Sequence, residues 1–146
     1  MPKRPDFDKV WELFVSLIRS KRCVTAPEIL KELKHPDYID SCEIYKRIRP
    51  VEHLISFRKK RDQEFHDVLG QLHFKFPQLC KSRSRRARPA DPYVIATAKR
   101  CGFVVVSEET LARRPSRKIP HACVALGVRC LTVGEVLAAE RTLLDV

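Results

Sequence analysis

The sequence predicts an α/β fold in which a short parallel sheet is flanked by helices, and three observations lead to this prediction. Asp91 and Pro92 start a helix that Gly102 ends, because Pro fits the first helical turn, Asp can cap free N–H groups and Gly suits a C-cap. Residues 103–106 form an unbroken apolar run, which is typical of a strand buried on both faces of a parallel sheet. Helical and strand patterns then alternate along residues 120–144, an order that favours parallel pairing.

A helical stripe of apolar residues predicts a first helix that faces the core. It consists of Phe7, Val10, Trp11, Phe14, Val15 and Ile18. Since Trp11 lies on this stripe, packing is favoured for it over stacking on a nucleotide base. Residues 22–26 predict a short buried strand, and Thr25 with Glu28 has the capping-box spacing that starts a second helix.

Two further helices are predicted in the middle of the chain. A short one covers residues 40–47, and a longer one follows Pro50. The four successive cations 58–61 interrupt its apolar face, and a solvated helical surface is the common meaning of such a run.

Three elements are predicted after the central strand. Pro120 and Gly127 bracket a short helix, and residues 128–132 predict a last short strand. Thr132 and Glu135 repeat the capping-box spacing and start a C-terminal helix that runs through Leu144.

Composition bounds the class of protein and its partners. At 146 residues and 44% hydrophobic content, the chain suits a single domain over residues 1–146. Lys and Arg outnumber Asp and Glu by 29 to 18, so a net charge of +11 favours nucleic acid as the first partner; a basic surface for solubility or for an acidic protein partner is the alternative. No apolar run has membrane-spanning length and no secretory signal is visible, so we expect a cytoplasmic protein without a membrane partner.

Cysteine and histidine spacing argues against a thiolate or imidazole metal site. The six cysteines form no CxxC pair and lie among apolar residues, so they are expected to be reduced and buried. The histidines show no HxxxH or HExxH spacing.

Two stretches resemble a known family. Residues 90–98 read ADPYVIATA, and residues 104–109 read VVVSEE. They resemble the C-terminal half of the PIN domain, the metal-dependent ribonuclease fold of VapC-type toxins, where an Asp opens a helix in a motif like ADPxxIAxA and the next strand ends in Thr or Ser followed by acids. Residues 118–137 are similar to an uncharacterised PIN-like family of prokaryotes. The resemblance implies a PIN-like three-layer fold.

The resemblance also implies the site. Glu32, Asp91 and Glu109 are the expected catalytic carboxylates, and together with Glu108 they are the expected ligands of Mg²⁺ or Mn²⁺, hard cations that prefer oxygen ligands. Glu32 precedes Leu33 in a Glu-Leu pair similar to the one that brings a Glu to the PIN metal site. Without the resemblance, Glu32 would be interpreted as a solvated helix acid paired with a neighbouring lysine.

The function that the resemblance implies is cleavage of RNA phosphodiester bonds by a toxin of a toxin–antitoxin pair. A PIN-like module that binds nucleic acid or a protein partner without cleaving is the alternative, and a structural partner of an antitoxin is a third interpretation. The expected partners are RNA and an acidic antitoxin protein, and a homodimer stays open.

A basic stretch leads directly into Asp91. Residues 81–88 read KSRSRRAR and are interpreted as an exposed loop that guides a phosphate backbone toward the carboxylates. Its cations are Lys81, Arg83, Arg85, Arg86 and Arg88. A flexible connector, an antitoxin-binding loop or a nuclear-type signal are the competing interpretations.

One departure from the family pattern is large. PIN domains open with a strand that carries an Asp near its carboxyl end, and no such strand precedes Phe7 in this sequence. The resemblance therefore implies a domain that is N-terminally truncated relative to the family. We expect its nuclease activity to be weak or absent unless the missing strand is supplied.

We predict that RNA binding depends on salt through the basic stretch. Replacing Arg83, Arg85 and Arg86 with Gln should make the plot of log affinity against log salt shallower, by about 0.7 for each lost contact with a single strand. Titrations of RNA at several salt concentrations measure this slope. An unchanged slope in the triple variant would show that the stretch is a connector or a protein-binding loop.

Overall fold

The computed structural model describes residues 7–34, 41–81, 89–107 and 119–144. Within these ranges the chain is mostly helical with one short parallel sheet, which confirms the α/β class. The helices are α1 Phe7–Arg19, α2 Pro27–Lys34, α3 Ser41–Ile48, α4 Glu52–Ile55, α5 Gln63–Lys75, α6 Asp91–Cys101, α7 Ile119–Leu126 and α8 Val133–Leu144. The strands are β1 Val105–Val106 and β2 Cys130–Leu131, and a 3₁₀ turn spans Arg49–Val51.

The chain divides into two compact units, Met1–Phe57 and Arg58–Val146. The first unit contains α1 to α4 around a small apolar core. Its buried members are Ile18, Leu30, Ile48, Val51 and Ile55. Trp11 and Val15 pack against this core, so the part of the predicted stripe formed by Trp11, Val15 and Ile18 is confirmed and Trp11 has a packing role.

The predicted strand at residues 22–26 is reduced to one parallel bridge between Thr25 and Ser56. The Thr25 N–H donates to the carbonyl of Ile55 at 2.8 Å, and its own carbonyl accepts from the Phe57 N–H at 2.8 Å. The predicted second helix is α2, which begins at Pro27. Its capping box of Thr25 and Glu28 stays a prediction.

The predicted long helix after Pro50 is also wrong. The 3₁₀ turn and α4 end at Ile55, and the next helix begins only at Gln63. Residues 58–61 lie between them outside any helix, and Lys60 has a left-handed φ of 65°. Asp62 then caps α5, since its carboxylate accepts the Phe65 N–H at 3.2 Å.

The second unit is built on the packing of α5 against α6. Phe65 and Leu72 of α5 and Ile95 of α6 are almost completely buried. The buried core of this unit comprises Phe65, Leu72, Phe76, Leu79, Ile95, Ala96, Ala98, Val105, Ala122, Cys123, Leu126 and Val128. Alanines on α6 leave room for close approach of its neighbours, so this helix lies inside the unit and not on its surface.

The sheet consists of β1 and β2 in parallel, with Val105 opposite Cys130. The Val105 N–H donates to the carbonyl of Arg129, and the Ser107 N–H donates to that of Leu131, both at 2.9 Å. The expectation of a strand buried on both faces is wrong in the described part of the chain. Val105 is 3% exposed, but its neighbours Val104 and Val106 are 43% and 40% exposed, because β1 is short and pairs there with β2 alone.

Local turn chemistry in this unit follows the prediction. Gly102 ends α6 with a left-handed φ of 70°, and Gly127 ends α7 with a φ of 69°. The capping box of Thr132 and Glu135 is confirmed, since each side chain accepts the backbone N–H of the other at 3.1 Å. The predicted C-terminal helix through Leu144 is confirmed as α8.

An ion pair ties the start of α5 to the end of α6. Arg100 donates to both carboxylate oxygens of Asp62, with Nη2 at 2.6 Å and Nε at 3.0 Å. Glu64 lies 3.4 Å from the same guanidinium. The hydrogen bonds from Arg100 lower the pKa of Asp62 from 3.8 to about 2.

We predict that this pair contributes stability that acid removes. Because the folded-state pKa of Asp62 is depressed, its contribution is complete above pH 3.8 and is lost as the pH falls toward about 2. Asp62→Asn keeps a good N-cap but loses the ion pair, so the gap in stability between wild type and variant should close over that window. Urea unfolding at a series of pH values measures the gap.

Asp67→Asn is the matched control, because this exposed carboxylate of α5 accepts from the neutral amide of Gln63. If the difference in unfolding free energy between wild type and Asp62→Asn stays constant as the pH falls from 3.8 to about 2, the ion pair does not contribute to stability.

Candidate functional site

Asp91 is the first residue of α6 and is half-buried. The N-cap position belongs to Ala90, which is completely buried, and Pro92 follows Asp91 in the first turn. The prediction that Asp91 caps the helix from outside is therefore wrong by one position. Asp91 lies in the first turn, where the partial positive charge of the helix N-terminus attracts acidic side chains.

Two described residues that flank the basic stretch, Cys80 and Pro89, are near this carboxylate in space or in sequence. Cys80, directly before Lys81, is within electrostatic range of Asp91: burial first, and the Asp91 charge second, raise the pKa of its thiol. Pro89, directly after the stretch, is two residues from Asp91. Lys81 is described and exposed, whereas residues 82–88, with Arg83, Arg85, Arg86 and Arg88, lie outside the described residues.

A guanidinium is held against the first turn of α6. The Cζ of Arg61 lies 5.3 Å from the ring centroid of Tyr93 and 5.1 Å from that of Phe65. Such cation–π contacts fix a side chain that would otherwise be mobile in solvent. Arg61 therefore adds a positive charge to the helix end that carries Asp91.

Glu32 belongs to α2 of the first unit and is half-buried. Leu33, its partner in the Glu-Leu pair, packs against the core of that unit. Lys34 pairs with Glu52 at 2.6 Å, so this lysine is committed to a different carboxylate. Glu28, one turn earlier on α2, is only 5% exposed.

Two of the four predicted metal ligands, Glu108 and Glu109, lie outside the described residues. Ser107, directly before them, is half-buried and bonded to β2. Among the residues that the structure does describe, no three His, Cys, Asp or Glu side chains form a group that could hold a metal ion. The convergence of Glu32, Asp91 and Glu109 stays a prediction.

The described thiols are reduced, and burial keeps several of them protonated. Burial, then the neighbouring Cys130, raise the pKa of Cys123 to about 12, and burial raises the pKa of Cys23 as well. A protonated thiol is a poor metal ligand and a poor nucleophile. The side chains best suited to chemistry here are therefore carboxylates and cations.

The sequence analysis missed two cations that lie together in the first unit. Lys31 of α2 and Arg49 of the 3₁₀ turn line one groove with His53 of α4. Helix α3 lies between Lys31 and Arg49 in sequence, so no local pattern joins them. Lys34 lies three residues after Lys31, and His53 lies four residues after Arg49. These helical spacings are the sequence signal that could have indicated a shared surface.

Comparison with known proteins gives one family. A family model described as "Domain of unknown function (DUF4411)" matches residues 4–144. No curated protein and no solved structure matches the chain. None of the helices in the described ranges is long and apolar enough to cross a membrane.

Proposed function

The chain belongs to the DUF4411 family, and we propose that it is a PIN-type ribonuclease that uses Mg²⁺ or Mn²⁺ to cleave RNA. The proposal includes a PIN-like three-layer arrangement for the whole fold and a role as the toxin of a toxin–antitoxin pair. One observation carries it: Asp91 starts a buried helix that turns directly into a parallel strand, and two acids follow that strand.

Simple lengths support bringing these acids to one edge of the sheet. The 11 residues of α6 span about 16 Å. The chain reverses at Gly102, and the extended residues 103–107 cover about the same distance in the return direction. By these lengths Ser107 would lie level with Asp91, and we infer that Glu108 and Glu109 would then lie at the carboxyl edge of the sheet, where open α/β folds bind ligands.

The donor chemistry suits a hard divalent cation. Asp91 and Glu32 are half-buried carboxylates, and carboxylate oxygens are the preferred ligands of Mg²⁺ and Mn²⁺. With Glu108 and Glu109 they would hold the cation, which would supply Lewis-acid activation of water and of the phosphodiester. The protein's own part is to fix the carboxylates at helix ends and to attract the RNA.

The charge of the chain supports RNA as the substrate. A net charge of +11 raises the encounter rate with polyanions. Cys80, directly before the basic stretch, is within electrostatic range of Asp91, and Arg61 is held over the Tyr93 ring in the first turn of α6. Phosphate contacts of this kind position a nucleic acid without reading its bases. An acidic antitoxin would neutralise the same surface.

A binding module without cleavage is the second candidate, and the exposure of β1 favours it. Val104 and Val106 are β-branched residues that are about 40% exposed on a strand with one paired edge among the described residues. A further strand carrying the Asp that the resemblance expects would cover such an edge. Without that strand, the chain would keep its basic surface and lose turnover.

Metal titration tests the proposed site. We predict that Asp91→Asn and Glu32→Gln each lower Mn²⁺ affinity at least about tenfold, because the loss even of groups that only orient ligands costs that much. Asn and Gln keep the size of the side chains, so unfolding midpoints should change little. Isothermal titration with Mn²⁺ measures the affinity, and cleavage of labelled RNA with Mn²⁺ against EDTA measures turnover.

Asp67→Asn and Glu12→Gln are matched controls, because both remove an exposed carboxylate from a helix of the same unit. Unchanged Mn²⁺ affinity in both site variants would remove these residues from the site. Metal binding and RNA binding without cleavage in the wild type would favour the second candidate.

A further inference from the structure

A groove of about 480 Å³ lies within the first unit, between α2 and residues 49–56. Its lining residues are Pro27, Leu30, Lys31, Lys34, Arg49, Glu52, His53 and Ser56. Three of these side chains are cations and one is a carboxylate, so the groove carries a positive charge. Its volume is within the range of sites that bind small ligands.

The single carboxylate of the groove is already satisfied. Lys34 Nζ donates to Glu52 Oε1 at 2.6 Å, and the Tyr45 hydroxyl donates to Oε2 at 3.1 Å. The hydrogen bond from Lys34 is the main reason why the pKa of Glu52 is lowered, so the group stays ionised. The Lys34 ammonium also lies 5.3 Å from the centroid of the Tyr45 ring. The charges of Lys34 and Glu52 therefore neutralise each other.

The other cations are left facing solvent. Lys31 and Arg49 are exposed, and neither has an ion-pair contact within 4.0 Å of a described carboxylate, although the Arg49 charge also helps to lower the pKa of Glu52. His53 and Ser56 are exposed beside them and add an imidazole and a hydroxyl. The groove therefore presents an ammonium, a guanidinium and two smaller hydrogen-bonding groups, and the one carboxylate among its described lining residues is bonded to Lys34.

We propose that this groove binds the phosphodiester backbone of an RNA strand, with Lys31 and Arg49 contacting phosphate oxygens and Ser56 donating a hydrogen bond. Guanidinium forks match two phosphate oxygens, and an ammonium acts as a point charge on a neighbouring phosphate. Pro27 and Leu30 offer an apolar floor for the sugar. The proposal rests on the proposed function, since it adds a binding surface for the same substrate.

The lining also indicates how the strand is recognised. No Phe, Tyr or Trp is among the lining residues of the groove, and the His53 imidazole is the one ring there on which a base could stack. Contacts to phosphate carry no sequence information. An acidic peptide is a weaker match, because protein partners are anchored by large side chains in apolar pockets and only Pro27 and Leu30 are apolar here. The groove therefore holds RNA without regard to its sequence.

The test compares two charge-matched variants. Lys31→Gln/Arg49→Gln removes the groove cations, and Lys9→Gln/Arg19→Gln removes an exposed Lys and an exposed Arg of α1 outside the groove. Fluorescence anisotropy with a short labelled polyuridine strand, in EDTA and at several salt concentrations, measures binding. The groove variant should bind more weakly, and its salt slope should be shallower by about 0.7 for each lost contact. The control should stay close to wild type.

Each outcome decides the proposal. Equal losses in the two variants, with both folded by circular dichroism, would assign the binding to general charge and overturn the groove. Polyglutamate that displaces the RNA as well as unlabelled polyuridine does would also overturn it, in favour of an acidic peptide. Because EDTA stops metal-dependent cleavage, RNA binding is measured separately from turnover. If the groove variant binds RNA more weakly but the wild type never cleaves RNA with Mn²⁺, the groove proposal is supported and only the nuclease proposal is contradicted.

Discussion

The close packing of α6 between α5 and the other elements of the second unit is the constraint on which this unit depends. Ile95, Ala96 and Ala98 are buried on α6, and the ion pair of Arg100 with Asp62 fixes its far end. Because α6 is packed or paired along most of its length, its first residue, Asp91, is also fixed in position. The position of Asp91 is therefore set by the packing of the helix that it begins, with Ala90 and Pro92 buried beside it and Ile95 buried about 6 Å further along the helix.

The parts of the fold that the sequence predicts well are those that local chemistry decides. Gly102 and Gly127 adopt left-handed φ angles that other residues resist, and Thr132 with Glu135 closes a capping box within four residues. The strand predicted at residues 22–26 is reduced to one bridge between Thr25 and Ser56, because strand pairing depends on segments that are distant in sequence.

The sequence predicts the candidate site to about the same extent as the fold. The helix that carries Asp91 and the strand after it follow from Pro92, Gly102 and the apolar run, but the capping position shifts to Ala90 because helix ends vary by a residue. The groove of Lys31 and Arg49 could not be predicted, since its two sides come from segments that meet only in the folded unit. The net charge of a sequence does not show which charged side chains lie together in the folded protein.

The unpaired edge that β1 has among the described residues has a consequence for the behaviour of the protein in concentrated solution. Val106 on this strand and Val104 just before it are about 40% exposed, and a strand edge of this kind is a template for pairing with a second molecule. A net charge of +11 keeps molecules apart at low ionic strength, and salt screens that repulsion beyond a distance of about 10 Å at 0.1 M. Colloidal stability should thus decline as salt is added, with self-association starting from this edge.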